Sequence, residues 1–319
     1  MSEKRVAVTG GTGFVGRWLI DALTKRGYRV RVATRHPERV RHLQLFPNTT
    51  LVPMADFEPL SLERLVAGCD AAINLAGILN EAGRDGSGFR RVHVELPLNL
   101  AAACRNQGVT RLLHMSALNA DAENGPSHYL RSKGEGEDKL HGMGDLQVTS
   151  FRPSVIFGPG DSFFNRFAAL LKLTPLFFPL ACPNARFAPV YVADVAQAFV
   201  NSIDNERTFG RRYDLCGPAI YTLRELVEYT AQQIGLRRRI VPLNDTLSHL
   251  QAAVLEWVPG KPMSLDNYRS LQVDSVCKGA VAPELGISPT AIDAVVPRYL
   301  GTLNRTTRLA AWRSLAGRG

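Results

Sequence analysis

Two groups of residues have the types and spacing to do chemistry. In SHYLRSK (127–133) a tyrosine and a lysine stand four positions apart, Tyr129 and Lys133. On an α-helix such a pair lies on one face, one turn apart. An ammonium placed there favours ionisation of a phenol whose ordinary pKa is about 10, which would make Tyr129 a general acid/base with Lys133 assisting. The spacing alone does not separate that role from two solvated side chains. The second group is Gly10-x-x-Gly13-x-x-Gly16 in VAVTGGTGFVGRWLI (6–20), between a β-rich run and an amphipathic one. Glycines there let the backbone turn tightly and approach a pyrophosphate. The following helix start offers free N–H groups and a partial positive charge to the anion. The plainer reading is a turn that serves only helix–sheet packing.

Which dinucleotide would bind depends on the end of the second strand, VATRHPER (32–39). A site that prefers NAD usually places a carboxylate there for the ribose 2′-hydroxyl. Here Thr34 and Arg35 occupy that place and the first carboxylate is Glu38. Arg35 can pair with a 2′-phosphate, so NADP(H) is expected over NAD(H).

The elements that must position these groups alternate. Strands are expected at 5–10, 28–35, 49–56, 69–77, 109–117 and 146–153, with helices at 13–27, 60–67, 89–107 and 128–140. Such alternation implies an α/β fold, a doubly wound parallel Rossmann sheet covered on both faces. Beyond about residue 157 the rhythm loosens, with a helix expected at 192–203, a strand at 212–216 and a helix at 222–235. The expected organisation is a dinucleotide-binding core over 1–157 and a smaller mixed C-terminal substrate lobe over 158–319, with 189–217 returning to the core.

The chain has 319 residues, 45% hydrophobic and 21% charged, the balance of an ordinary globular protein. No apolar run approaches the ~20 residues of a membrane span, and MSEKRVAVTGG carries no signal-peptide core. A cytoplasmic location is expected. The five cysteines are scattered and never in C-x-x-C spacing, so neither a disulfide framework nor a zinc site follows, and no metal is expected. The net charge of +9 fits an arginine-rich surface, anionic ligands or an acidic membrane surface. No nucleic-acid-binding module accompanies it, so no nucleic acid is expected.

With the glycine turn and Tyr-x-x-x-Lys on one α/β chain, the sequence resembles an extended, atypical short-chain dehydrogenase/reductase, of the NAD-dependent epimerase/dehydratase superfamily. The matching stretches are TGGTGFVG, AD at 55–56, NLAG at 74–77, HMSA at 114–117, YLRSK, RPSVIFGPGD at 152–161 and PVYVADVA at 189–196. They span about residues 5–235. KPMSLDNYRSLQVDSV (261–276) and LGISPTAIDAVVPRYL (285–300) resemble a narrower branch, the bacterial relatives of the nucleotide-binding accessory subunit of respiratory complex I. The resemblance implies that Gly10, Gly13 and Gly16 cradle the pyrophosphate, with Thr12, Phe14 and Val15 in the same turn. Asp56, beside Phe57, would meet the adenine. Leu75, Ala76 and Gly77 would border the adenosine half, Lys133 would hold the nicotinamide ribose, and Pro153 and Val155 would flank the nicotinamide. Tyr129 would exchange a proton with a substrate carbonyl or hydroxyl, and Ser116 would orient that oxygen. The interval from Ser116 to Tyr129 is short beside sugar-nucleotide epimerases and dehydratases. His93, where many relatives carry asparagine, reads as a packed or partly exposed helix residue and not a base.

LLKLTPLFFPLAC (170–182) reads as a buried helix and cover, as an apolar pocket for a quinone- or isoprenoid-like substrate, or as a membrane-surface contact. In the tail, Leu309, Trp312 and Leu315 with Arg308, Arg313 and Arg318 are compatible with an interfacial helix. Peripheral contact with the inner face of the cytoplasmic membrane, through 163–183 or 305–319, is therefore an expectation; the oligomeric state is unknown. Three function classes follow. One is an NADP(H)-dependent oxidoreductase acting on a carbonyl or secondary alcohol of a small, hydrophobic molecule. Another is a nucleotide-stabilised accessory or assembly protein of the respiratory membrane that does not turn over. A redox-sensing regulator is a third.

Overall fold

The computed structural model describes residues 4–258 and 261–301, so the expected tail contact at 305–319 lies outside the described residues. The chain begins with β1 (Arg5–Thr9), α1 (Phe14–Lys25), β2 (Arg29–Thr34), β3 (Thr49–Pro53), α2 (Pro59–Val66) and β4 (Ala71–Asn74). It continues through α3 (Ser87–Arg90), a π-helical turn (Arg91–Glu95), α4 (Leu96–Asn106), β5 (Arg111–Met115), α5 (His128–His141) and β6 (Gln147–Pro153). Next come β7 (Ile156–Phe157), α6 (Phe164–Leu173), β8 (Phe177–Leu180), β9 (Arg186–Phe187), β10 (Val190–Tyr191), α7 (Val192–Ser202) and β11 (Arg212–Leu215). Then come β12 (Tyr221–Thr222), α8 (Leu223–Gln233), β13 (Arg239–Pro242), α9 (Asp245–Leu255) and α10 (Leu265–Ser270), and residues 292–301 are helical.

Two compact units result. The first comprises 1–153, 192–215 and 277–288 and the second 154–191, 216–276 and 289–319. The boundary falls at Pro153 and not at 157. The segment 277–288, assigned above to the C-terminal lobe, belongs to the first unit. Asn201 Nδ2 donates to the Leu285 carbonyl and the Tyr213 hydroxyl to Glu284, bonds that composition and periodicity do not encode.

The first unit is a seven-stranded sheet in the order β11-β6-β5-β4-β1-β2-β3, parallel throughout. Its inner strands are near-continuous apolar runs because helices cover both faces; β4 and β5 are buried at every position. On α1, Leu19, Ile20 and Leu23 are buried at helical spacing. Strand order reverses between β1 and β4, where a doubly wound sheet opens its binding crevice beyond the carboxyl ends of the strands.

In the second unit β8 pairs with β13, β7 with β10 and β9 with β12. Its core gathers Phe157, Phe164, Leu171, Phe178, Leu226, Val227, Ile292 and Val296. The apolar stretch expected as buried cover divides into α6 and β8. Leu171 and Phe178 enter this core, but Leu173, Leu176 and Phe177 do not. Cys69, Cys104 and Cys182 are free thiols, whereas Cys216 and Cys277 are disulfide-bonded, which the scattered spacing did not indicate.

Candidate functional site

The glycine turn lies at the point where strand order reverses. Gly10 follows β1 with φ of 71°, a left-handed conformation. A Cβ there would stand 2.5 Å from the Ala76 nitrogen, just past β4. Only glycine lets the two strand ends approach so closely. Asn74 holds the second side of the crevice: its Oδ1 accepts from the Thr9 hydroxyl at 2.7 Å and from the Ala76 N–H at 3.1 Å. Thr12 and Gly13 lead into α1, and Phe14, Val15 and Gly16 form its first turn. No side chain caps α1 and its first turn carries no carboxylate, so its leading N–H groups remain for an anion. A dinucleotide pyrophosphate fits this cradle, because the uncapped helix start supplies the donors and no carboxylate in its first turn opposes an anion.

Arg35 lies one residue past β2, exposed and with no hydrogen bond or ion pair among the described residues. Asp56 is exposed after β3, its Oδ1 accepting the Glu58 N–H at 3.3 Å, and Phe57 is half-buried against the first unit's core. Leu75 and Ala76 are half-buried, whereas Gly77 is exposed. A Cβ at Gly77 would lie 3.2 Å from Lys133 Nζ, so those two expected residues converge. Pro153 ends β6 in the first unit and Val155 belongs to the second, its carbonyl accepting the Val190 N–H.

Tyr129 and Lys133 sit on α5, whose start is fixed by the Ser127 hydroxyl accepting the Leu130 N–H at 3.1 Å. Lys133 is 3% exposed, and its Nζ donates to the Met115 carbonyl at the end of β5 at 2.9 Å. Burial lowers its pKa to about 8, with the Glu137 carboxylate opposing that fall. Burial alone moves the Tyr129 phenol up to about 12. The expectation that the lysine depresses the phenol is therefore corrected in direction: burial outweighs any help from Lys133.

Ser116, just past β5, is 2% exposed, and its hydroxyl donates to Glu137 at 2.7 Å. Glu137 is fully buried. Arg152 Nε donates to both of its oxygens at 2.9 Å, and Arg212 stands 3.6 Å away. Paired and hydrogen-bonded on several sides, the carboxylate meets the conditions for a buried charge. Arg152, on β6, is the main cation facing Glu137. The Ser116 hydroxyl proton thus points to Glu137, and a lone pair is what the oxygen keeps for a ligand.

His93 is the residue that sequence reasoning undervalued. It is fully buried in the π-helical turn. The Ile78 N–H donates to its Nε2 at 3.1 Å, which places the proton on Nδ1, 2.9 Å from the Ser132 hydroxyl. Ser132 in turn donates to the Tyr129 carbonyl at 2.9 Å. The imidazole meets the Tyr129 ring edge-on at 5.4 Å and stacks on Phe89 at 5.6 Å. Burial first, then the nearby Lys133 charge, depress its pKa to about 2, so it is neutral at any working pH. It touches Tyr129 twice, through its ring and through Ser132. The signal available in the sequence was a histidine in register with Ser132, which spacing alone does not disclose.

Fold and site together define a Rossmann-type protein with a nicotinamide-dinucleotide cradle and a tyrosine–lysine pair. Residues 6–216 match the NAD dependent epimerase/dehydratase family, and the chain belongs to that family. It is 30% identical over 276 residues to the mitochondrial NADH dehydrogenase [ubiquinone] 1 alpha subcomplex subunit 9 of Arabidopsis thaliana, covering 84% of this chain and 68% of that one. It is 30% identical over 323 residues to the ceramide reductase of Caulobacter vibrioides, covering 98% and 95%. The crystal structure of a dTDP-glucose 4,6-dehydratase from Streptomyces venezuelae superposes with a TM-score of 0.71 at 21% identity, over 93% of this chain and 95% of that one, which shows the shared fold.

Proposed function

We propose that the protein is an NADP(H)-dependent reductase of a carbonyl group on a hydrophobic, lipid-like substrate. The observation that carries this reading is the Tyr129–Lys133 pair, the lysine buried and the tyrosine half-buried, held by His93, Ser132 and the Met115 carbonyl. A site kept only for nucleotide stabilisation has no need of a phenol positioned from its backbone carbonyl side. Similarity to a ceramide reductase along nearly the whole of both chains supports the substrate class. Arg35, exposed past β2 where an NAD site would carry a carboxylate, supports NADP(H).

The nicotinamide, when bound, supplies hydride to the carbonyl carbon. Tyr129 delivers the proton to the carbonyl oxygen. A phenol held near 12 stays protonated up to high pH and is therefore ready as an acid. The Lys133 ammonium, held at the Met115 carbonyl, has donors left for the ribose hydroxyls and for the phenolate that Tyr129 becomes. Ser116 offers its oxygen lone pair beside Glu137. The test is turnover of NADPH with 3-oxo lipids by purified protein. Tyr129→Phe should abolish turnover and leave NADPH affinity within about twofold; absence of turnover in wild type across a broad carbonyl panel would sink the reading.

A second reading is a nucleotide-stabilised accessory protein, favoured by similarity to the complex I subunit and by the Lys133 contact with Met115 instead of a depressed phenol pKa. Tight NADPH retention with no single-turnover oxidation would select it.

A further inference from the structure

On α9 the large apolar side chains form an exposed stripe, and the buried residues are small. Leu247, Leu250 and Val254 recur at i, i+3 and i+7, and Trp257 and Val258 continue the stripe beyond the helix end. All five are exposed, Trp257 to 75%. The residues turned into the second unit are Ser248 and Ala252. A surface helix normally has the opposite arrangement. Ser248 Oγ accepts the Cys182 N–H at 3.2 Å and Gln251 Nε2 donates to the Pro179 carbonyl at 3.0 Å. As α9 advances, its partners step back along β8, so the stripe runs toward Phe177, Leu176 and Leu173. These three are also exposed, Leu173 to 79%. Scattered exposed apolar residues need no explanation, but a set of them on two adjoining elements does.

The same surface carries an excess of positive charge. Lys172, Arg237 and Arg239 are exposed and Arg238 partly so, against Asp245 and Glu256. Asp245 already accepts the Tyr268 hydroxyl at 2.6 Å. We propose that this face docks on an anionic bilayer, with Leu250, Val254 and Trp257 in the headgroup–acyl boundary and the arginines at lipid phosphates. Charge selects that occupant over the others. A second copy would set two basic rims against each other, and residues 302–319 of the chain carry Arg305, Arg308, Arg313 and Arg318 with no carboxylate. The inference concerns this surface alone and holds whether or not Tyr129 turns over substrate.

The experiment is flotation of the full chain with phosphatidylglycerol–phosphatidylcholine vesicles and with phosphatidylcholine vesicles, at low and physiological salt. Wild type should bind the anionic vesicles at least about tenfold more tightly and lose affinity as salt rises. Leu250→Ser with Trp257→Ser, and separately Arg237→Glu with Arg239→Glu, should each weaken anionic-vesicle binding by about tenfold or more. Far-ultraviolet dichroism and NADPH titration check that both variants remain folded, since the substituted side chains are exposed. Absence of wild-type binding to anionic vesicles, or undiminished binding by both variants, would overturn the proposal. So would a wild-type dimer that the Leu250/Trp257 variant converts to monomer, which would assign the face to a second copy.

Discussion

Burial brings the Lys133 ammonium down to about 8 and lifts the Tyr129 phenol to about 12, so rising pH removes the lysine proton first. In the mechanism proposed above, the protonated lysine is the form that would hold ribose and phenolate. For the reductive direction kcat/KM should therefore be level up to about pH 8 and then fall about tenfold per unit, because that ratio reports the free enzyme. Lys133→Arg should abolish the fall at a lower plateau; an unchanged inflection would assign it to another group. Tyr129→Phe should lower kcat by roughly 10²–10⁴-fold, the usual range for a general acid. Much of this residue-scale site was legible. Gly10, Tyr129 and Lys133 announced themselves by type and local spacing. Glu137, His93 and Ser132 did not, because their meaning comes from hydrogen-bond partners 15 to 39 positions away, such as Ser116, Arg152 and Ile78.

The elements that hold the site are joined with little clearance. Gly136 on α5 lies against the His93 carbonyl, where any Cβ would collide with backbone that is itself in the π-helical turn. Gly136→Ala should destabilise the protein by about 3 kcal/mol or more, the penalty of overpacking against a rigid neighbour, read as a lowered denaturant midpoint. His93→Phe leaves the part-buried Ile78 N–H without its acceptor and should cost about 1 kcal/mol. It should also reduce kcat more than it raises KM for nucleotide, which simple loss of stability would not do. The α/β alternation up to residue 153 was readable because parallel strands are continuous apolar runs and the intervening helices are amphipathic. The π-helical turn was not readable, since one extra residue in a helix leaves composition and burial pattern nearly unchanged. The division of 163–183 into α6 and β8 was also hidden, because a uniformly apolar run has no period to distinguish helix from strand.

For the whole molecule, a ligand that binds only the folded chain stabilises it by about 2.7 kcal/mol at a hundredfold excess over Kd. NADPH should therefore raise the thermal midpoint more than equimolar NADH, and Arg35→Ala should erase the difference. Equal shifts from both nucleotides in the wild type would remove Arg35 from the 2′-phosphate site. The first unit also closes late in the order of synthesis. Glu137 on α5 gathers Ser116 at the end of β5, Arg152 on β6 and Arg212 on β11, and β11 leaves the ribosome only after the whole of 154–191 has been made. Until then β6 is an open sheet edge, and Glu137 lacks one of its cations. Even then 277–288, which supplies the Leu285 carbonyl and Glu284, is still to come. A fragment ending at Pro153 would expose that edge permanently and should aggregate. The first unit is therefore not a module that can be detached at Pro153. Its completion waits on residues 277–288, and a nascent chain stalled before Arg212 would carry the glycine turn and the tyrosine–lysine pair without the strand and cation that complete their frame.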